Sequence, residues 1–153
     1  MTGRQYATFE VADQLFGLDV AKVQEVLSFD TYTPVPLAPA AIGGLFNLRG
    51  QVIAAVDLRV QLGLPARTNQ GPAMNVIVRT DDESVSLLVD RIGEVVTLHD
   101  ELFEPPPDTL HGPSRHLITG AFKLDGRLML ALDTTRATTT NPNPTRDDAG
   151  NRE

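Results

Sequence analysis

Short apolar runs recur along this chain at intervals of roughly 8–15 residues, and proline or glycine punctuates most of the gaps between them. Residues 6–11 and 15–20 flank Ala12-Asp13-Gln14 as a hairpin would. Further strands are expected at 51–57, 74–80, 85–90 and 94–98. A last hairpin, 117–124 with 127–132, turns at Asp125-Gly126, a type I′ signal. Pro34, Pro36 and Pro39 forbid a helix over 30–41, and Pro105, Pro106 and Pro107 break the chain again. Residues 62–72 and 111–116 read as loops. One short helix is predicted: Val20, Val23, Val26 and Leu27 stand at helical spacing behind Asp19, a capping residue. Some eight strands and one helix make an all-β barrel or sandwich, not a βαβ array. No sequence repeat is evident, although the hairpins at 6–20, 74–90 and 117–132 could each nucleate a small barrel.

At 153 residues the chain suits one domain or two intimate subdomains. After Asp133 it turns polar, so a folded unit at 6–135 and a disordered tail at 136–153 are expected. A net charge of −7, two lysines and no basic run argue against nucleic acid as a partner. The N-terminus lacks a signal-peptide apolar region, and no apolar run approaches the ~20 residues that span a bilayer. These features predict a cytoplasmic protein without direct membrane insertion.

Chemistry is thinly supplied. Without cysteine, disulfides and thiolate chemistry are excluded. His99, His111 and His116 lie in or beside loops, and the acidic neighbours of His99 are better read as solvated than as metal ligands. Ser28, Ser84, Ser86 and Ser114 sit in no nucleophile elbow. The glycines at 43–44 lead into no phosphate-binding pattern. A small hydrolase using Asp57, Asp90 or Asp133 would need carboxylates converging in one pocket; capping of turns is the plainer role. A ligand-binding barrel would need an apolar cavity inside it. No catalytic, metal or cofactor site is predicted.

One stretch stands out: Gly43-Gly44-Leu45-Phe46-Asn47-Leu48-Arg49-Gly50, feeding an apolar strand that ends at Asp57-Leu58-Arg59. It reads as a glycine-hinged bend, a connection between subdomains, carrying an arginine. Arg49 either pairs internally with Glu25 or Asp57 or faces a docking partner, and the two roles are compatible.

Val23-Gln24-Glu25-Val26, Pro34-Val35-Pro36, Ala38-Pro39, Ile42-Gly43-Gly44, Asn47-Leu48-Arg49-Gly50, Val52-Ile53 and Val56-Asp57-Leu58-Arg59 together resemble CheW, the chemotaxis coupling family. Leu87-Leu88-Val89-Asp90 and the prolines at 105–107 follow in similar order, so the resemblance covers residues 6–133. It implies two small SH3-like five-stranded β-barrels with a groove between them. It also implies a non-enzymatic adaptor joining the cytoplasmic tips of chemoreceptors to a CheA-type histidine kinase. A coupling protein of another sensory array, such as one for twitching motility, would look alike.

Carried over by position, the resemblance places partner binding at Val23, Glu25 and Val26, beside Gly44, Asn47 and Arg49, with Val76 on a neighbouring strand. Gly43, Gly50 and Asp57 would shape hinge and turns. Two departures stand out: Ala54 replaces the usual proline before Asp57, and Thr135-Arg136-Ala137-Thr138-Thr139-Thr140 replaces an apolar C-terminal helix.

Overall fold

The computed structural model describes residues 3–29, 32–65, 73–81 and 83–140. Ten strands form two five-stranded sheets among them. In chain order these are β1 (Gly3–Val11), β2 (Gln14–Asp19), β3 (Val23–Phe29), β4 (Ile42–Leu48), β5 (Gln51–Asp57), β6 (Ala73–Arg79), β7 (Ser84–Val89), β8 (Arg91–His99), β9 (Ile118–Leu124) and β10 (Arg127–Leu132). The orders β3-β6-β7-β5-β4 and β8-β1-β2-β10-β9 describe two small SH3-like barrels, here the first and the second. The chain crosses between them twice, after Asp19 and at Asp90. The expected link at 43–59 is instead the β4–β5 hairpin, inside the first barrel.

Each barrel has its own core. Phe46, Ile53, Ala55, Ile77 and Leu88 fill the first; Tyr6, Leu15, Leu98, Phe122, Met129 and Ala131 fill the second. A third and larger cluster lies between them, from Phe9, Phe16 and Leu18 to Val56, Val76, Val78, Leu87 and Leu130. β7 is buried throughout because it lies between two cores, with Val85, Leu87 and Val89 in the inter-barrel cluster and Leu88 in the first barrel's own. Polar links reinforce this layer. Arg59 donates through Nε and Nη2 to Asp90 at 3.2 and 2.8 Å, and the Ala12 amide donates to Asp90 Oδ2 at 2.8 Å. Asp90 thus ties the β5 end of one barrel to the β1–β2 turn of the other. The hydrogen bond to Asp90 also lifts the Arg59 guanidinium above its ordinary pKa.

The predicted helix at 19–27 is not formed. Asp19 caps only a 3-10 turn, Val20–Lys22, accepting from the Ala21 amide at 2.9 Å, and β3 follows. The deceptive spacing comes from a β-bulge. Val23 pairs with Val78 and Val26 with Val76, so three steps along β3 match two along β6. The bulge puts Val23 and Val26 on one strand face, where a helix would also have aligned them.

The short helices lie elsewhere: α1 (Leu58–Gln61), α2 (Gly112–Leu117) over most of the expected 111–116 loop and the first residue of the expected 117–124 strand, and α3 (Thr134–Thr138). Asp57 and Asp133 cap α1 and α3, accepting from the Arg59 and Arg136 amides at 3.0 Å each. Ordered chain therefore continues past 135, with Ala137 fully buried against the inter-barrel core. The rest of the expected tail, 141–153, lies outside the described residues. The turn at Asp125-Gly126 is not type I′, because only Gly126 takes positive φ. Among the described residues no helix is long and apolar enough to cross a membrane.

The two barrels are copies. β3-β6-β7-β5-β4 corresponds strand for strand to β8-β1-β2-β10-β9, with the same senses, including one parallel pair in each. The β3 bulge recurs on β8, where Ile92 pairs with Phe9 and Val95 with Ala7. Gly44-Leu45-Phe46-Asn47-Leu48-Arg49-Gly50 thus matches Gly120-Ala121-Phe122-Lys123-Leu124-Asp125-Gly126, and Glu25-Val26 matches Glu94-Val95. The sequence conceals this repeat because each copy is split between the two barrels.

Candidate partner-docking site

Strands β3 and β4 are the two edges of the first sheet, and side chains close the seam between them. Thr33 exchanges both backbone hydrogen bonds with Leu45, at 2.8 and 2.9 Å. Tyr32 meets Phe46 edge-on at 5.7 Å, and its hydroxyl donates to Asn75 Oδ1 at 3.1 Å. Gly44 makes this closure possible. At φ +152° it adopts a backbone that favours glycine, and a Cβ there would lie 2.7 Å from Tyr32 Cβ. Gly43 is the extra residue of a second bulge, between the Ile42–Val56 and Gly44–Ala55 pairs.

Arg49 crosses the same seam. Its Nη1 and Nη2 donate to Glu25 Oε2 and Oε1 at 2.6 and 2.8 Å, a two-pronged pair. Of the two internal partners open to it, Glu25 is the one the structure pairs; Asp57 caps α1. The Arg49 hydrogen bonds hold the Glu25 carboxyl below the ordinary glutamate range and raise the guanidinium's own pKa. Arg49 is nevertheless 67% exposed along its side chain, against 26% for Glu25. The guanidinium therefore presents its outer edge to solvent while its inner edge is held.

The backbone beneath Arg49 is unusual. Leu48 pairs with Gln51 across a two-residue turn in which Arg49 and Gly50 have φ of +52° and +88°, the type I′ pattern. Asn47 supports it by accepting the Gly50 amide at 2.9 Å. Asparagine, aspartate or glycine normally occupies the first corner, and another residue there costs on the order of 1 kcal/mol. An exposed, solvent-screened ion pair does little to offset that strain. Net stability thus gives little reason for this residue at this corner.

The other expected site residues divide. Val26 is 40% exposed at the outer end of the inter-barrel face. Val23 is half-buried against the inter-barrel core. Val76 pairs with Val26 on the neighbouring strand, but it is 1% exposed, so its side chain offers no surface in this structure. Gly44 is buried beneath the clasp, and its role there is to admit Tyr32. Sequence reading missed Val52, which is 64% exposed opposite Asn47. Its alternation with buried Ile53 was the available signal.

Asp57, Asp90 and Asp133 do not form a shared acid–base pocket: Asp57 and Asp133 cap separate helices, and Asp90 holds Arg59. Cavities of about 550, 350 and 290 Å³ open around Arg136 and His116, around Arg4 and Asp133, and around Arg4 and Asp100. None is lined by the Glu25–Arg49 site or lies inside the first barrel.

Comparison with known proteins gives consistent matches. The CheW-like domain model matches residues 5–140. The chemotaxis protein CheW of Rhizobium meliloti is 30% identical over 131 residues, covering 86% of this chain and 84% of that one. The chemotaxis protein CheW of Thermotoga maritima is 30% identical over 128 residues, covering 82% of each. The crystal structure of the scaffolding protein TtCheW from Thermoanaerobacter tengcongensis is similar with a TM-score of 0.77 at 28% identity, over 86% of this chain and 90% of that one.

Proposed function

This chain belongs to the CheW-like domain family and is a non-enzymatic scaffold of chemotaxis signalling; we propose that it couples the cytoplasmic tips of chemoreceptors to a CheA-type histidine kinase. On this reading it works in the cytoplasm beside membrane receptor arrays. The receptor tip, a helical element, lays its apolar face against Val26 and the half-buried Val23. Arg49 supplies the polar anchor, with Glu25 fixing its direction and Asn47 and Gly50 holding the turn. Gly43, Gly44 and Asp57 act on the fold beneath.

The observation that carries this assignment is the posture of Arg49: paired on one edge, open on the other, and mounted on a corner that disfavours arginine. A guanidinium held this way loses little freedom when a partner carboxylate or carbonyl takes its outer edge. Titration of a receptor-tip fragment against wild type and Arg49→Ala tests the reading. A loss of about tenfold or more, with the thermal midpoint kept, supports it. Wild-type affinity in a folded Arg49→Ala protein sinks the docking role, and unfolding assigns Arg49 to the fold.

A further inference from the structure

One end of the second barrel holds a tyrosine hydroxyl that the fold leaves without a partner. Tyr6 is 8% exposed, and its ring packs in that barrel's own core, 5.2 Å from Phe122. Among the described residues the hydroxyl makes no hydrogen bond, yet no fully buried side-chain oxygen lacks a partner, so it opens into the cavities that Tyr6 lines. Burial lifts the phenol above its ordinary pKa, and the group therefore keeps its proton and can donate. The first barrel treats the matching position differently. Asn75 stands on β6 where Tyr6 stands on β1, and its Oδ1 accepts from the hydroxyls of Tyr32 and Ser86 at 3.1 and 2.8 Å. Phe103 and Gly17 occupy the places of those two donors in the second barrel. A barrel of this plan thus satisfies a polar group here from within, and phenylalanine at position 6 would give the same ring packing. The fold does not call for the hydroxyl.

The two cavities, of about 350 and 290 Å³, share Arg4, Tyr6 and Thr119, and they match the lower end of small-molecule sites, roughly 300–1,000 Å³. Arg4 lies 3.6 Å from Asp19 Oδ2 and 3.6 Å from Asp100 Oδ1, beyond hydrogen-bond reach. Guanidinium donors and carboxylate acceptors therefore stand side by side with hydrogen-bonding capacity to spare. Their charges balance: Arg4 and Lys22 accompany Asp19 and Asp133 in the larger cavity, and Arg4 accompanies Asp100 in the smaller. A phosphate would meet the carboxylates, and a cation would meet the guanidinium and the ammonium. A neutral ligand rich in hydroxyls incurs neither penalty, because each hydroxyl both donates and accepts. Phe103, 41% exposed, gives the smaller cavity an aromatic wall against which a C–H face can lie.

We propose that this end of the second barrel binds a small neutral polyol of monosaccharide class, with Tyr6 and Arg4 donating to its oxygens and Asp19 and Asp100 accepting from its hydroxyls. The site lies apart from the Glu25–Arg49 seam and does not depend on the coupling role. Titration of the isotope-labelled full chain with glucose, galactose, ribose and glycerol, followed by amide shifts in NMR, tests it. Inorganic phosphate and glutamate are titrated separately as charged probes. At least one polyol should bind saturably, with the shifts gathered at Arg4, Tyr6, Asp100 and Thr119. Tyr6→Phe keeps the ring and should weaken that binding by about threefold to tenfold, with the thermal midpoint unchanged or raised. Arg4→Met, at a half-exposed side chain, should weaken it as well, and it reads the same site if Tyr6→Phe lowers the midpoint. No saturable shift with any polyol overturns the proposal, as do shifts gathered elsewhere. Wild-type affinity in a folded Tyr6→Phe or Arg4→Met protein overturns it too. Binding of phosphate or glutamate in preference to every polyol makes the ligand a charged one, and the class assigned here falls.

Discussion

The two barrels have one plan and differ where recognition is proposed. In the first, Thr33 bridges Leu45 while Tyr32 meets Phe46; in the second, Glu104 bridges Ala121 while Phe103 meets Phe122 at 5.3 Å. Gly44 and Gly120 each make room for that aromatic clasp, and Asp57 and Asp133 each cap the helix after the last strand of the hairpin. Features present twice are what this barrel needs in order to close. The pair Glu25–Arg49 is present once: its counterparts, Glu94 and Asp125, are both acidic. The second barrel closes without the ion pair, so closure alone does not call for it in the first.

The clasp glycines provide the most severe test. Alanine at 44 would crowd Tyr32 in a backbone that favours glycine; alanine at 120 would overlap the Phe103 ring and the Glu104 carbonyl. Each substitution is expected to cost roughly 2–3 kcal/mol in urea unfolding. A large loss at one position and none at the other would break the equivalence of the barrels. Arg59→Met comes next. It leaves the part-buried Asp90 without its two-pronged donor at the junction, an expected loss of about 1–3 kcal/mol. Because the inter-barrel core is shared, the barrels should still unfold together. Two separated transitions in this variant would show that the Arg59–Asp90 tie, and not the apolar layer, couples them.

Much of this was legible beforehand. The strands other than β3 and β4, and the capping aspartates, follow from alternation, Gly and Pro placement, and short polar residues at strand ends; β4, with its two glycines, reads as a bend and not as half of a hairpin with β5. Residues 20–27 misled for a definite reason: the bulge at Gln24 turns a period of two into an apparent period of three, which apolar spacing cannot distinguish from a helix. The inter-barrel connections were misplaced because strand exchange between the barrels is non-local. Arg49 stood out in the sequence as a residue to explain, but which partner it pairs with and its left-handed backbone required coordinates. Val76 shows the converse limit: a neighbour in register can still be buried.

Arg49→Asn separates recognition from stability. Asparagine tolerates the left-handed corner, so relief of strain and loss of the exposed, solvent-screened pair should roughly cancel, leaving the thermal midpoint close to that of wild type. Receptor-tip binding should nonetheless fall as in Arg49→Ala. Retained binding would show that Arg49 serves only the turn. Acid probes the same pair from its other side. Glu25 has a lowered folded-state pKa, so its contribution is present above the unfolded value and is lost as pH falls through the folded one. Comparing wild type with Glu25→Gln by thermal unfolding should show a small difference at neutral pH that disappears below the ordinary glutamate range. A difference that grows on acidification would contradict the pairing.

The smallest expected effect comes from transplanting the pair. Asp125→Arg places a guanidinium at the counterpart of Arg49, with Glu94 at the counterpart of Glu25. It also exchanges two like charges for opposite ones, so stability should change by no more than about 0.5 kcal/mol, in the favourable direction. Receptor-tip affinity at the first barrel should not change, and a second binding site should not appear, because Asp125 does not sit in the left-handed backbone that aims Arg49. A second receptor site in this variant, read as a doubled stoichiometry, would mean that the charge pattern alone makes the docking surface. Unchanged stoichiometry would place the specificity in the strained turn as well as in the arginine it carries.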